Sequence, residues 1–148
     1  MAAVLADDGR ISINELATRV NVSRATAYAR FERLRERGVI SGFRAEIDAA
    51  KVGFPIAALV LVNVHQRDWR TARDELAALP GVEYVALTSG GFDFVVLVRA
   101  PSSAALRDVL LVKLHALPSV RSTQTIFILD EQRLPFAGAH YPEPEPPH

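Results

Sequence analysis

The apolar positions in the first third of the chain recur at helical intervals in two short segments. These positions are Ile13, Leu16, Ala17 and Val20 in the first segment, and Ala27, Phe31 and Leu34 in the second. Ser12 precedes the first segment with Glu15 three residues later, which is the capping-box pattern, and Ser23 can cap the second segment. Gly38 follows the second segment, where a glycine typically ends a helix. Two short helices joined by a turn of about three residues predict a helix-turn-helix.

The residues after Gly38 have the composition of a small β-wing. Residues 39–47 are rich in strand-forming side chains, and Gly42 lies where a turn between two short strands would fall. We therefore expect residues 1–50 to form a winged helix-turn-helix domain. Only residues 1–6 precede the turn signal at Asp7, so a helix formed by them is expected to be short and marginal by itself.

The rest of the chain alternates apolar strand-like runs with helical patterns. The predicted strands are residues 56–64, 82–88, 92–98 and 120–129, and the predicted helices begin at Asp68 and at residues 101–103. The order βαββαβ is the ferredoxin-like arrangement, which makes the chain an α+β protein with a second domain at residues 51–134. Residues 135–148 hold five of the nine prolines and predict a flexible Pro-rich tail.

The predicted strands lack the alternation expected of a sheet with one face in water. Residues 56–62 and 94–98 are apolar at every position, so both faces of the sheet carry apolar side chains. Helices of a single βαββαβ unit cover only one face. The second face therefore predicts self-association, with two copies pairing sheet against sheet in an obligate dimer.

Composition narrows the class of protein further. The chain has no cysteine, which excludes disulfides and thiol chemistry, and no apolar run of membrane-spanning length. It also lacks a secretory signal pattern, so a soluble cytoplasmic protein without a membrane partner is expected. No His, Asp or Glu residues have metal-ligand spacing, and no phosphate loop or nucleophile elbow is present. We therefore expect no metal site, no cofactor and no enzymatic activity.

The charge distribution favours a polyanionic partner for the first domain, although the net charge is zero. The stretch from Arg19 to Arg44 contains seven arginines and only two acidic residues, both glutamates. Arg24 lies at the start of the second helix, where base edges are usually reached, and can donate to guanine. The candidate contacts to double-stranded DNA are Arg19, Ser23, Arg24, Ala25, Thr26, Tyr28, Ala29, Arg30, Arg33 and Arg44, with Arg35 as a further phosphate contact.

The alternative is a solvated helix face held by ion pairs between neighbouring turns. Glu32 with Arg35 and Arg33 with Glu36 have the spacing that such pairs need. Arg30 borders the apolar stripe, so packing and pairing within the domain is its alternative role.

Several short motifs occur here in a fixed order. They are Asp8-Gly9-Arg10-Ile11-Ser12, Glu15-Leu16-Ala17, Val22-Ser23, Arg30-Phe31-x-x-Leu34, Gly38-Val39-Ile40-x-Gly42-Phe43 and Gly90-Gly91-Phe92-Asp93. Over residues 7–134 this order resembles the Lrp/AsnC (feast/famine) family of transcriptional regulators. The resemblance implies a regulator that binds promoter DNA, dimers that assemble into an octamer or a similar disc, and an amino-acid effector bound where effector domains meet.

The same resemblance implies an effector site at the turn between the middle strands. Its residues would be Thr88, Ser89, Gly90, Gly91 and Asp93, with Thr123, Gln124 and Thr125 as weaker candidates. Glycines let a carboxylate approach backbone N–H groups, and the Asp93 carboxylate suits an α-ammonium group. The alternative is a plain hairpin turn that Asp93 holds closed. Because the first helix is short, the alternative function is an oligomeric amino-acid-binding or assembly protein with an impaired DNA-binding head.

Overall fold

The computed structural model describes residues 1–65 and 69–134, which fall into two compact units. Met1–Glu46 with residues 132–134 form the helical unit, and Ile47–Glu131 form the sheet unit. The predicted tail at residues 135–148 and the expected cap at Asp68 lie outside the described residues.

The helical unit contains the predicted helix-turn-helix. Its helices are α1 (Ala2–Asp7), α2 (Ile13–Arg19) and α3 (Arg24–Glu36). The predicted caps are confirmed, since the Ser12 hydroxyl accepts from the Glu15 backbone N–H at 3.2 Å and the Ser23 hydroxyl from that of Thr26 at 3.1 Å. Gly38, with φ of 69°, follows α3 in the left-handed conformation that ends many helices. A small core of Leu5, Leu16, Ala17 and Ala27 is buried in this unit.

The second half of the predicted capping box does not form. The Glu15 carboxylate accepts from the Arg19 guanidinium at 2.9 Å instead of returning to the Ser12 backbone. The reason is that Arg19, one turn further along α2, offers a charged donor at the favourable i, i+4 spacing.

The predicted β-wing is wrong as a feature of the single chain. Residues 41–48 contain no helix or strand, and the backbone of residues 41–47 makes no hydrogen bond to another described residue. Before the expected turn, the Ile40 N–H donates to the Leu34 carbonyl at 3.2 Å, which ties that arm to the end of α3. After it, the Phe43 ring stacks on Phe31 with the centroids 6.3 Å apart. With both arms held elsewhere, they do not pair with each other.

The sheet unit has the predicted βαββαβ order. Its elements are β1 (Ile56–Val64), α4 (Trp69–Ala77), β2 (Val82–Leu87), β3 (Phe94–Ala100), α5 (Ser103–Asp108) and β4 (Val120–Ile128). The four strands are antiparallel in the order β2-β3-β1-β4. This confirms the α+β class and the ferredoxin-like arrangement. β3 begins two residues later than expected, because the preceding turn retains residues 92 and 93.

α5 continues as a π-helix over Val109–Leu114, which the sequence pattern did not predict. Leu106, Val109 and Leu114 are buried along this continuous segment, while Leu111 is 59% exposed. A π-helical turn is wider than an α-turn, and such turns often lie beside functional sites.

Apolar side chains lie on both faces of the sheet. One face packs against the helices through a core that includes Val60, Val62, Phe94 and Val96 with Leu76 and Leu106. The register places Leu59, Leu61, Val95, Leu97 and Ile126 on the opposite face. Of these, Ile126 is 45% exposed and the others are partly buried. We call these five residues the open sheet face.

Candidate functional site

The outward surface of α3 carries the predicted DNA contacts. Ser23, Arg24, Ala25, Thr26, Tyr28, Ala29, Arg30 and Arg33 are all exposed. Ala27, predicted to point inward, is fully buried, and Phe31 and Leu34 are partly buried. Glu32 is partly buried as well. The helix therefore presents small residues, one tyrosine and three arginines on one accessible surface.

The three arginines on this surface make no ion pair among the described residues. Arg24, Arg30 and Arg33 are exposed, and Arg44 in the following segment is likewise exposed and unpaired within the described chain. The alternative of a pair-stabilised surface holds for Arg35, whose guanidinium lies 3.2 Å from the Glu32 carboxylate. The expected pair between Arg33 and Glu36 is not formed.

Arg19 and Ser23 have internal partners. Arg19 lies 2.9 Å from the Glu15 carboxylate, but both side chains are about half exposed, and such a surface pair is worth little. The Ser23 hydroxyl serves as the cap and also lies 2.8 Å from the Thr26 hydroxyl. This cap orients the first turn of α3, where the helix dipole favours an anion.

The turn between β2 and β3 contains the predicted effector residues. Thr88, Ser89, Gly90 and Gly91 are exposed, and a Cβ added at either glycine would meet no atom within 4 Å. The backbone N–H groups of residues 89–92 donate to no described residue. Gly90 has φ of 134°, a conformation open to glycine. The turn thus offers accessible, unused backbone donors.

Asp93 and Thr88 hold this turn closed. The Thr88 hydroxyl donates to the Phe92 carbonyl at 2.7 Å, and the Thr88 N–H donates to the Asp93 carbonyl at 2.8 Å. Asp93 Oδ2 accepts from the Val64 backbone N–H at 2.8 Å, which ties the turn to β1. The structural role considered for Asp93 is therefore present in the molecule, and its Oδ1 makes no hydrogen bond within the described chain.

The three weaker effector candidates on β4 do not share one surface. Thr123 and Thr125 line a groove of about 240 Å³ beneath α5 and the π-helix, together with Arg107, His115 and Phe127. Gln124 lies opposite Leu61, on the other face of the sheet. Sequence reasoning missed His115, whose Nε2 is 3.2 Å from the Thr123 hydroxyl. The short connection from the π-helix to β4 is the signal that could have placed these two residues together.

Sequence reasoning also missed a buried arginine in β3. Arg99 is 8% exposed; its Nε lies 3.0 Å from the Glu83 carboxylate, and its guanidinium also pairs with Glu131. Burial lowers the pKa of Arg99, but hydrogen bonds to Glu131 and Glu83 outweigh burial and leave that pKa above its ordinary value. No periodic signal marks this cluster in the sequence, because the three residues lie far apart along the chain.

The described residues contain neither a membrane-spanning helix nor a cluster of metal ligands. Within residues 1–65 and 69–134, no helix is long and apolar enough to span a bilayer. In the same ranges, no three His, Cys, Asp or Glu side chains are grouped so that they could hold a metal ion.

A capped helix-turn-helix with an arginine-bearing second helix, joined to a βαββαβ unit, defines the class of two-domain DNA-binding regulators. Residues 3–41 match the family model for winged helix-turn-helix DNA-binding, and residues 57–133 match the Lrp/AsnC ligand binding domain. The chain belongs to the Lrp/AsnC family of helix-turn-helix transcriptional regulators.

Relatives and solved structures agree with this membership. The chain is 36% identical over 138 residues to the HTH-type transcriptional regulator LrpA of Mycobacterium tuberculosis, covering 88% of this chain and 90% of LrpA. AsnC of E. coli has a TM-score of 0.80 at 25% identity, with 90% of both chains covered. A feast or famine regulatory protein of M. tuberculosis, solved in complex with L-methionine, has a TM-score of 0.81 at 33% identity, covering 90% of this chain and 91% of that one.

Proposed function

We propose that this regulator reads DNA through the exposed surface of α3, as a self-associated assembly whose DNA affinity responds to an amino acid. The observation that carries the proposal is the surface of α3 itself. Arg24, Arg30 and Arg33 project from it with no carboxylate partner in the described chain, and Ala25 and Ala29 leave room for close approach.

The arginines of α3 have different roles in this proposal, according to their positions along the helix. Arg24 is the first residue of α3, next to the Ser23 cap, and residues at this end of a recognition helix contact base edges. An arginine there can donate two hydrogen bonds to guanine. Arg30 and Arg33 lie six and nine residues further along α3, where contacts to phosphate fix position without reading sequence.

The open sheet face supports self-association. Leu59, Leu61, Val95, Leu97 and Ile126 form a continuous apolar set across three neighbouring strands. A second copy of the same sheet would bury this set in a twofold interface. Two such dimers or more could then present recognition helices to DNA sites spaced by about one helical turn or a multiple of it.

The turn at residues 88–93 supports an amino-acid effector. Its free backbone N–H groups suit a carboxylate, and Asp93 Oδ1 suits an ammonium group while Oδ2 holds Val64. The family relative solved with L-methionine shows that a similar chain binds an amino acid. A ligand here would alter DNA affinity only by binding more tightly to one packing of the subunits than to another.

Self-association is tested by sedimentation of the full chain and a Leu97→Asp variant. The proposal predicts a dimer or larger assembly for the unchanged protein and a shift toward monomer for the variant. Val112→Asp, at a 60% exposed position on the π-helix, is the matched control and should sediment like the parent. An unchanged assembly for Leu97→Asp would remove the open sheet face from the interface.

The DNA-binding arrangement is tested by footprinting on the fragment upstream of the protein's own gene. Protected segments spaced by about one helical turn would support paired recognition helices. Uniform or absent protection by a well-folded assembly would instead support an amino-acid-binding assembly protein.

A further inference from the structure

Arg99 is the only polar or charged residue that is buried within the described ranges 1–65 and 69–134. It lies near the end of β3, and its guanidinium pairs with Glu83 of β2 and with Glu131, three residues after β4. The two glutamates remain a little over one-third exposed. Replacing a buried ion pair by apolar residues is often neutral or stabilising. Stability alone therefore does not account for an arginine at this position.

Both chain connections between the two units lie beside Arg99. The chain passes from the helical unit to the sheet unit after Glu46 and returns after Glu131. The second connection is bound directly, because Glu131 is the last residue of the sheet unit and pairs with Arg99. At the first connection, Ile47 begins the sheet unit and lines a groove of about 220 Å³ together with Arg99. A displacement of Arg99 would therefore reach both connections.

The β2-β3 hairpin joins Arg99 to the turn at residues 88–93. β3 begins directly after this turn, and Arg99 is its sixth residue, roughly 17 Å along at about 3.4 Å per residue. At the turn, the Thr88 N–H donates to the Asp93 carbonyl at 2.8 Å. At the other end, the Arg99 N–H donates to the Gly81 carbonyl at 2.7 Å. Because both ends are tied, we expect the two strands to move as one unit and not to slide past each other.

We infer that Arg99 is a positioning residue that couples the turn at residues 88–93 to the DNA-binding unit. The inference rests on the amino-acid response proposed above. A ligand at the turn shifts the hairpin, and the guanidinium at its far end moves Glu131 and the connection that follows. Arginine suits this role because its planar fork of donors can hold two carboxylates at once. The connections then differ in position between the free and the ligand-bound protein, as coupling between two sites requires.

Glu131→Gln separates this coupling from a merely structural role. The amide has nearly the same size as the carboxylate but lacks the charge that binds Arg99. DNA affinity of the full chain is measured on the fragment upstream of its own gene, with and without an equimolar mixture of the twenty amino acids. The ratio of the two Kd values should fall from the roughly 5–150-fold typical of coupled sites to within about twofold of one. The Kd without the mixture, the Tm and the shift of Tm with the mixture should match the parent.

Two further variants define the cause. Arg99→Lys keeps the positive charge but loses the planar fork, so it should also lower the ratio of the two Kd values. Asp74→Asn is the matched control, because it breaks an exposed ion pair with Arg73 in α4, on the same unit. The control should keep the ratio of the parent.

The outcomes distinguish this inference from the function on which it rests. A parent whose DNA affinity does not change with the mixture would contradict the proposed amino-acid response, and the inference would fall with it. A parent that responds while Glu131→Gln responds equally would overturn the role of Arg99 alone. A joint loss of Tm and of DNA binding in Glu131→Gln, or an equal loss of the response in Asp74→Asn, would also overturn it.

Discussion

Asp93 Oδ2 accepts a hydrogen bond of 2.8 Å from the backbone N–H of Val64. The bond joins the turn between β2 and β3 to the end of β1, 29 residues earlier in the chain. One carboxylate oxygen thus holds the turn in place, and the other makes no hydrogen bond within the described chain, so the structural role and the proposed binding role can be separated by substitution.

Asp93→Asn should leave the fold unchanged and weaken binding of the amino-acid effector. The amide oxygen can still accept from Val64, while the charge that suits an ammonium group is gone. We expect unfolding free energy close to that of the parent and clearly weaker amino-acid binding by calorimetry. Asp93→Ala should lose about 1–3 kcal/mol of stability as well, because the Val64 N–H loses its partner. Unchanged amino-acid affinity in the asparagine variant would remove Asp93 from the effector site.

Arg24→Ala and Arg33→Ala should differ in their effect on DNA binding. If Arg24 reads a base, its loss costs about 1–3 kcal/mol and relaxes preference at that position. Loss of a phosphate contact at Arg33 weakens binding to all DNA sequences alike. It also lowers the slope of log K against log salt concentration by about one. Fluorescence anisotropy with operator and substituted duplexes measures both quantities. Arg70→Ala, in α4 of the sheet unit, is the control, and identical behaviour of the first two variants would contradict the division of roles.

Ser23→Ala should lower stability by about 1 kcal/mol through loss of the α3 cap. The Thr26 N–H would lose its acceptor at the start of the helix that carries Arg24. Urea unfolding followed by circular dichroism measures the change. Ser41→Ala is the matched control, since that exposed serine makes no hydrogen bond in the described chain. Equal midpoints for the two variants would show that the cap contributes nothing.

Gly81→Ala should be strongly destabilising, by several kcal/mol. A Cβ at this position would lie 2.1 Å from the Arg99 carbonyl oxygen, and the backbone has φ of 77°. The Gly81 carbonyl also accepts from the Arg99 N–H at 2.7 Å. Moving the two backbone segments apart to make room for a Cβ would therefore break this hydrogen bond. Thermal unfolding compares it with Gly91→Ala, where nothing lies within 4 Å. A small loss of stability in the Gly81→Ala variant would show that the backbone at residues 81 and 99 can move apart to accommodate the Cβ.

Most of the fold could be predicted from the sequence, because helix caps and strand patterns depend on residues that are close together along the chain. Ser12 and Ser23 cap the helices as expected, and β1 has the bounds predicted from its apolar run. The wing failed because strand formation needs a partner, which alternation alone cannot identify. The exposed surface of α3 followed from helical spacing.

The remaining features depend on contacts between distant residues. The Arg99 cluster joins residues 83, 99 and 131, and the bond from Val64 to Asp93 joins two strands. Thr123 and Thr125 line the groove, whereas Gln124 lies on the opposite face of the sheet, because of the register of β4. Such placements need the folded sheet, so the sequence alone could not provide them.

In our proposal, the arginine-bearing surface of α3 makes this protein a specific DNA-binding regulator. The most direct measurement is a binding titration of the full chain with the fragment upstream of its own gene, against scrambled DNA, at two salt concentrations. It is run with and without an amino-acid mixture. We expect tighter binding to the upstream fragment than to scrambled DNA, weaker binding at the higher salt concentration, and a shift in DNA affinity with the amino-acid mixture. Equal affinity for both DNAs, or no binding by a folded assembly, would contradict it.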